Sequence, residues 1–130
     1  MRQIPTTQEQ AVKEIYGFTQ KHLHYGKNNK EIVVQAILEH WKYGTLDFLY
    51  DTNGLIYAMR YNVSHDGRTA LVLDLAVRRD KRNFKLLKFI IARNWSRWPT
   101  LTEFKFEREN KYPDRDFRYY KLSKLFKKRE

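Results

Sequence analysis

Nine residues, Thr69 to Val77, read Thr-Ala-Leu-Val-Leu-Asp-Leu-Ala-Val, with a single charge among them. Along an extended chain Leu71, Leu73, Leu75 and Val77 share one face, and Ala70, Val72, Asp74 and Ala76 share the other. Both faces are largely apolar, so this is a central strand covered on two sides, with Asp74 as the exception. A basic elbow, Arg78-Arg79-Asp80-Lys81-Arg82-Asn83, follows at once, and the next residues, Phe84 to Trp95, recur at helical spacing. A buried strand feeding straight into a helix start is a layout suited to holding a phosphate, because the first amides of a helix are unpaired and partly positive. Here five charged side chains crowd the elbow and no glycine does.

The rest of the chain is organised around that stretch. Thr6-Thr7 supplies an N-cap ahead of Val12, Ile15, Tyr16, Thr19 and Leu23, which predict an amphipathic helix over 7–23. After a turn at Tyr25 to Asn29, Ile32, Val33, Ala36, Ile37, His40 and Trp41 fall on one face of a second helix, stopped at Gly44. The period then becomes extended. Leu46 to Tyr50 and Leu55 to Val63 flank Asn53-Gly54, a hairpin signal, and Asp66-Gly67 turns into the third strand, about 68–78. The third helix starts at Asn83 or Phe84 and buries Phe84, Leu87, Ile90, Ile91 and Trp95, while Lys81, Lys85 and Lys88 lie on another side. Leu101 to Glu107 alternates as a fourth strand, parallel to the third because a helix crosses between them. A loop at Asn110 to Asp114 leads to a last helix, Phe117 to Phe126, capped by Asp116. The expected fold is α/β (α+β) in the order α-α-β-β-β-α-β-α, an antiparallel meander followed by a βαβ crossover. It forms one domain over 1–130, with an extension at 1–6 and a basic tail at 127–130.

Charge is divided unevenly along this framework. Residues 1–66 hold seven Lys/Arg against seven Asp/Glu, and residues 67–130 hold nineteen against eight, so the whole net charge of +11 lies in the second half. Such a surface either keeps the protein in solution or faces an anion: a nucleic acid, an acidic protein or a phosphorylated cofactor. The absence of cysteine excludes disulfides, thiolate catalysis and cysteine-based zinc sites. His22, His24 and His40 are too few and too scattered for a metal centre. No apolar run reaches the ~20 residues of a membrane span, and Met1 to Pro5 lacks the apolar core of a signal peptide. The expected setting is cytoplasmic, without a membrane partner.

The element order, together with Leu75-Ala76-Val77-Arg78-Arg79-Asp80-Lys81-Arg82-Asn83 and Leu86-Leu87, resembles the acyl-CoA N-acyltransferase (GNAT) superfamily. In that family a strand ending in valine runs into an arginine-glycine loop and a helix with paired leucines. Tyr119-Tyr120-Lys121-Leu122-Ser123-Lys124-Leu125-Phe126 is similar to the family's Tyr-x-Lys-Leu-Gly-Phe end piece, with Asn110 ahead of it. The resemblance covers about residues 7–126 and implies an acetyl-CoA site. Val77, Arg78, Arg79, Arg82 and Asn83 would hold the coenzyme, and Tyr120 would be the acid that protonates the leaving thiolate. The family's loop needs glycines so that main-chain amides can approach the diphosphate without a Cβ in the way. Counted from Arg82 the two glycine positions are Lys85 and Leu87; counted from Arg79 they are Arg82 and Phe84. The end-piece glycine is Ser123 or Lys124, and the chain stops where the family adds two more strands.

Each candidate therefore has two readings. Tyr120 is the family's acid or an aromatic on a buried stripe. Asp74 is a general base with a pKa raised by burial, or the partner of an arginine. Arg78, Arg79, Lys81, Arg82, Lys85 and Lys88 meet phosphates or an acidic partner, or form a solvated helix edge. Three functions stand open. The first is a GNAT-like module without a cofactor, using its basic half to bind a partner, as in small virion proteins of tailed phages that such chains resemble. The second is an acyltransferase whose acetyl-CoA is held by arginines and lysines. The third is a nucleic-acid binder, using cations interleaved with Trp95, Trp98, Phe117, Tyr119 and Tyr120.

Overall fold

A computed structural model describes residues 7–23, 30–107 and 117–126. Five strands form one sheet in the order β1-β2-β3-β4-β5, where β1 is Leu46–Asp51, β2 Gly54–Val63, β3 Thr69–Val77, β4 Glu103–Glu107 and β5 Phe117–Lys121. The helices are α1 Gln8–Leu23, α2 Lys30–Lys42, α3 Phe84–Arg97 and the single turn α4 Leu122–Leu125. The chain divides into two compact units, residues 1–60 with 74–82, and residues 61–73 with 83–130.

The first unit is built by α1, α2 and the β1–β2 hairpin. Thr7 Oγ1 accepts from the Gln10 amide at 3.2 Å, the cap that the sequence predicts. α1 buries Ala11, Val12, Ile15 and Thr19, and α2 buries Ile37. Val12, Ile15 and Ile37 form a core with Leu46, Leu55 and Ala58, flanked by Tyr16, Phe18, Val33, Trp41 and Phe48. Ile32, expected on the buried face of α2, is 69% exposed. It lies in the first turn, and Ile37 carries the burial from the middle of the helix. Gly44 ends α2 at a φ of 73°, and Gly54 closes the hairpin at 118°, both conformations that favour glycine. The hairpin is not regular. Leu49 pairs with Tyr57 and Tyr50 with Leu55, which leaves Ile56 as an extra residue, a β-bulge.

In the second unit Ser64 to Thr69 form a tight turn. The Ser64 amide donates to Thr69 O at 2.8 Å, and the Ser64 hydroxyl to Asp66 Oδ1 at 2.6 Å. Gly67 has a φ of 75°, and a Cβ there would sit 2.9 Å from Thr100 Oγ1, the atom that donates to Gly67 O at 2.7 Å. Gly67→Ala is accordingly expected to destabilise the fold by about 1–2 kcal/mol, the cost of a left-handed non-glycine residue, read as a lower urea midpoint with unchanged slope. Beyond the turn, β3 pairs in parallel with β4 from Thr69–Glu103 to Val72–Phe106, and α3 forms the crossover. Asn83 caps α3 as expected, its Oδ1 accepting from the Leu86 amide at 2.7 Å. Ile90, Ile91 and Asn94 are buried along the helix.

Three expectations are corrected. Phe84 is 57% exposed instead of buried, because the helix begins with it; Leu87 is half-buried, and full burial starts only at Ile90. On β3 only the Ala70, Val72, Ala76 face is fully buried; Leu71, Leu73, Leu75 and Val77 are half-buried, so the strand is covered fully on one side. The last helix is mostly a strand. Phe117 to Lys121 pair antiparallel with β4, and only Leu122–Leu125 turn as a helix. Phe-Arg-Tyr-Tyr-Lys is rich in aromatic residues that favour extended backbone, and β4 supplies a partner ladder that no local period reveals. The Asp116 cap, the Asn110 to Asp114 loop, the turn after α1 and the two chain ends lie outside the described residues.

Candidate functional site

The end of β3 and its turn are built around Arg78. Its guanidinium donates through Nη1 and Nη2 to the two carboxylate oxygens of Asp51, and through Nε to Asp80 Oδ1 at 2.7 Å. Its backbone amide donates to Ile56 O at 2.8 Å, at the bulge. One residue thus ties the strand end to the β1–β2 hairpin by main chain and side chain together. A fork-on-carboxylate pair of this kind is the strong form of the charge-assisted hydrogen bond. The hydrogen bonds from Arg78 hold the carboxyls of Asp51 and Asp80 below the usual range, and in return push the guanidinium pKa up. The first of the expected phosphate ligands is therefore committed to two carboxylates.

The other elbow residues separate in the same way. Arg82 Nε donates to Val77 O at 2.9 Å, and Arg82 Nη2 lies 3.4 Å from His22 Nδ1. Val77 thus gives its carbonyl to a side chain five residues further on. Arg79 and Lys81 sit on a 3-10 turn, Arg79–Lys81, and both are exposed. In the second unit Asn83 spends its carbonyl oxygen on the Leu86 amide, one of the first free donors of α3. Lys85 and Lys88 are exposed along that helix.

Asp74 meets an arginine. Arg60 Nε donates to Asp74 Oδ2 at 2.7 Å, with side-chain exposures of 25% and 13%. Burial pushes the Arg60 pKa down, yet the guanidinium still faces a carboxylate that holds it in place. Tyr120 belongs to β5 and stands edge-on to Phe106, with ring centroids 5.5 Å apart. It lines an open depression of about 320 Å³ with Lys121, Lys124 and Leu125. Asp74 lies in the first unit and Tyr120 in the second. A cleft of about 520 Å³ between α1 and α2, lined by Val12, Tyr16, Val34 and Leu38 among others, escaped the sequence reading, since apolar spacing marks both a packed face and an open one. Among the described residues no group of histidines and carboxylates could hold a metal ion, and no helix is long and apolar enough to cross a membrane.

These elements in this order are the GNAT fold. Solved structures similar to it bear that out. One is a GNAT family acetyltransferase from Brucella melitensis in complex with acetyl-CoA, with TM-score 0.58 and 11% identity over 92% of this chain and 87% of that one. A second is the GphF GNAT-like decarboxylase in complex with isobutyryl-CoA, with TM-score 0.59 and 13% identity over 87% and 69%. A third is the aminoglycoside 6'-N-acetyltransferase from Enterococcus faecium, with TM-score 0.57, 6% identity and 81% of this chain covered. The chain spans 59% of the length of that enzyme. No family model matches the sequence, and no curated protein matches it.

The elbow residues do not fit a diphosphate held by bare main chain. A cradle of that type needs successive amides turned inward, with left-handed positions and no Cβ. Arg78, Arg82 and Asn83 have φ values of −59°, −72° and −157°. Every residue from Arg78 to Leu87 carries a Cβ.

Proposed function

We propose that this chain is a GNAT-fold module that does not perform acyl-CoA chemistry and uses its basic second half to contact an anionic partner. The observation that carries this reading is the commitment of the elbow's own groups to one another. Arg78 is bound to Asp51 and Asp80, Arg82 to the Val77 carbonyl, and the Leu86 amide to Asn83. A coenzyme diphosphate would have to displace these contacts, and no glycine main chain stands ready to replace them. The charge asymmetry along the chain supports the second part. With Asp51 and the elbow's one carboxylate, Asp80, already engaged by Arg78, the exposed cations of the second half remain as the charge offered outward.

The test is thermal. A coenzyme bound with micromolar affinity and supplied at about 1 mM would add about 4 kcal/mol to the stability of the native state, a shift of many degrees. Acetyl-CoA and CoA are expected to leave the melting temperature where it is. A clear upward shift, matched by micromolar binding in titration calorimetry, would overturn the reading and favour an acyltransferase with an unusual diphosphate site.

A further inference from the structure

We propose that the solvent face of α3 binds single-stranded nucleic acid, with Phe84 and Phe89 as stacking platforms and Lys85 and Lys88 as phosphate contacts. The inference rests on the reading of the basic second half as a contact surface and names its partner. At 100° per residue, these four side chains fall within an arc of about 140° on one side of the helix. Phe84 is 57% exposed and Phe89 49%, two of the four large apolar side chains most open to solvent among the described residues. Lys85 and Lys88 are exposed beside them.

Local physics opposes this arrangement, and that is the argument for a use. α3 carries Lys85, Lys88, Arg93 and Arg97 and not one acidic residue. Lys85 and Lys88 stand three apart near the helix N-terminus, where like charges repel and the helix dipole disfavours cations. Phe84 opens the helix with its ring in water, although a small polar residue would serve there. Neither the packing of Ile90 and Ile91 nor the Asn83 cap needs these four side chains, and of the four only Lys88 has a further contact among the described residues, with the Phe126 ring. Where several local rules are broken together at one face, a binding site is the reading that accounts for all of them.

The surface continues onto α4. Lys88 Nζ lies 5.5 Å from the Phe126 ring, and Phe126 packs against Trp95 at 5.6 Å between centroids. Lys121 and Lys124 are exposed there, and neither β5 nor α4 carries an acidic residue. An anion is the complement of such a face. Between anionic partners the exposed rings decide. Every base has a π-face that stacks on an aromatic side chain, so a single strand engages rings and lysines in one repeating contact. An anionic membrane asks for a broad apolar stripe, and α3 has buried its own, Ile90 and Ile91, inside the fold.

Fluorescence anisotropy with labelled oligodeoxythymidylate and oligouridylate of about 20 nucleotides tests the proposal. The expected result is binding at low salt that weakens as salt rises. Phe84→Ala and Phe89→Ala are each expected to weaken it by roughly 5- to 100-fold. Lys85→Gln and Lys88→Gln are expected to flatten the dependence of log K on log salt by about 0.7 per cation removed. Alanine is the best helix former, so the phenylalanine variants keep α3, and their circular dichroism and melting curves verify it. No binding at about 50 mM salt would overturn the proposal, as would binding that both phenylalanine variants leave intact. Capture by phosphatidylserine vesicles without oligonucleotide affinity would overturn it too. The earlier reading fails on a coenzyme titration and this one on an oligonucleotide titration, so the two failures cannot be confused.

Discussion

Replacing Phe104 by alanine is expected to cost about 3–5 kcal/mol of stability, the range for emptying a buried phenylalanine site. Phe104 has no exposed surface. It sits on β4, with Ala70 of β3 as its partner on one side and Tyr120 of β5 on the other. Removing the ring leaves a cavity on the face of the sheet, and the flanking strands, hydrogen-bonded to β4, cannot shift to fill it. The lost contacts then add to the lost burial. Urea denaturation is expected to show a lower midpoint with an unchanged slope, and Phe104→Leu to lose distinctly less. A loss below about 1 kcal/mol for the alanine variant would mean that the site repacks and that this strand is not a rigid part of the core.

The second large effect is a pH dependence centred on Arg78. The carboxyls of Asp51 and Asp80 lie below their ordinary value of 3.8, chiefly through hydrogen bonds from Arg78, and that of Asp66 through the Ser64 hydroxyl. A carboxyl whose pKa is depressed on folding binds fewer protons in the native state than in the unfolded one. Its stabilisation is therefore complete above the unfolded pKa and is lost as pH falls below about 4. The urea midpoint is expected to stay level, as far as these groups govern it, from neutral pH to about pH 5, and then to drop. Arg78→Met keeps the length of the side chain and the Ile56 backbone contact but removes the guanidinium. It is expected to melt several degrees lower at neutral pH, with its curve converging on that of the unaltered protein toward the acid end. There both proteins carry protonated Asp51 and Asp80. An offset of the same size at both ends of the range would show that the guanidinium acts through packing and not through its carboxylates.

The parts of this fold that short stretches specify were legible before any coordinates. The Thr7 cap, the Gly44 stop, the Asn53-Gly54 hairpin, the Asp66-Gly67 turn and the Asn83 cap all follow from one or two residues with a fixed local requirement. The parallel β3–β4 pairing followed from the helix between them. What escaped depends on distant partners. Phe117 to Lys121 fits a helical stripe and an alternating strand about equally, and the choice is made by β4, whose Glu103 comes opposite Lys121. Phe84 looked buried because helical spacing gives a face without saying which turn first meets the core. At the candidate site the missing glycines were visible in the sequence. The partners that occupy the elbow were not, since Asp51 lies 27 residues from Arg78. Asp74 was open between base and ion pair until Arg60 was found 2.7 Å away.

The extra residue at Ile56 has a wider meaning for how such a chain can change over generations. Side chains along a strand alternate with a period of two, so the bulge sets the phase of everything after it. Tyr57, Met59 and Tyr61 turn inward together, and Tyr57 reaches Asp47 at 2.6 Å because the count before them is what it is. Gaining or losing one residue there would move that whole row to the other face of the strand, where Ala58 now packs in the core. The length of this hairpin is therefore fixed as firmly as its buried side chains: what descent must copy here is a spacing as well as a spelling.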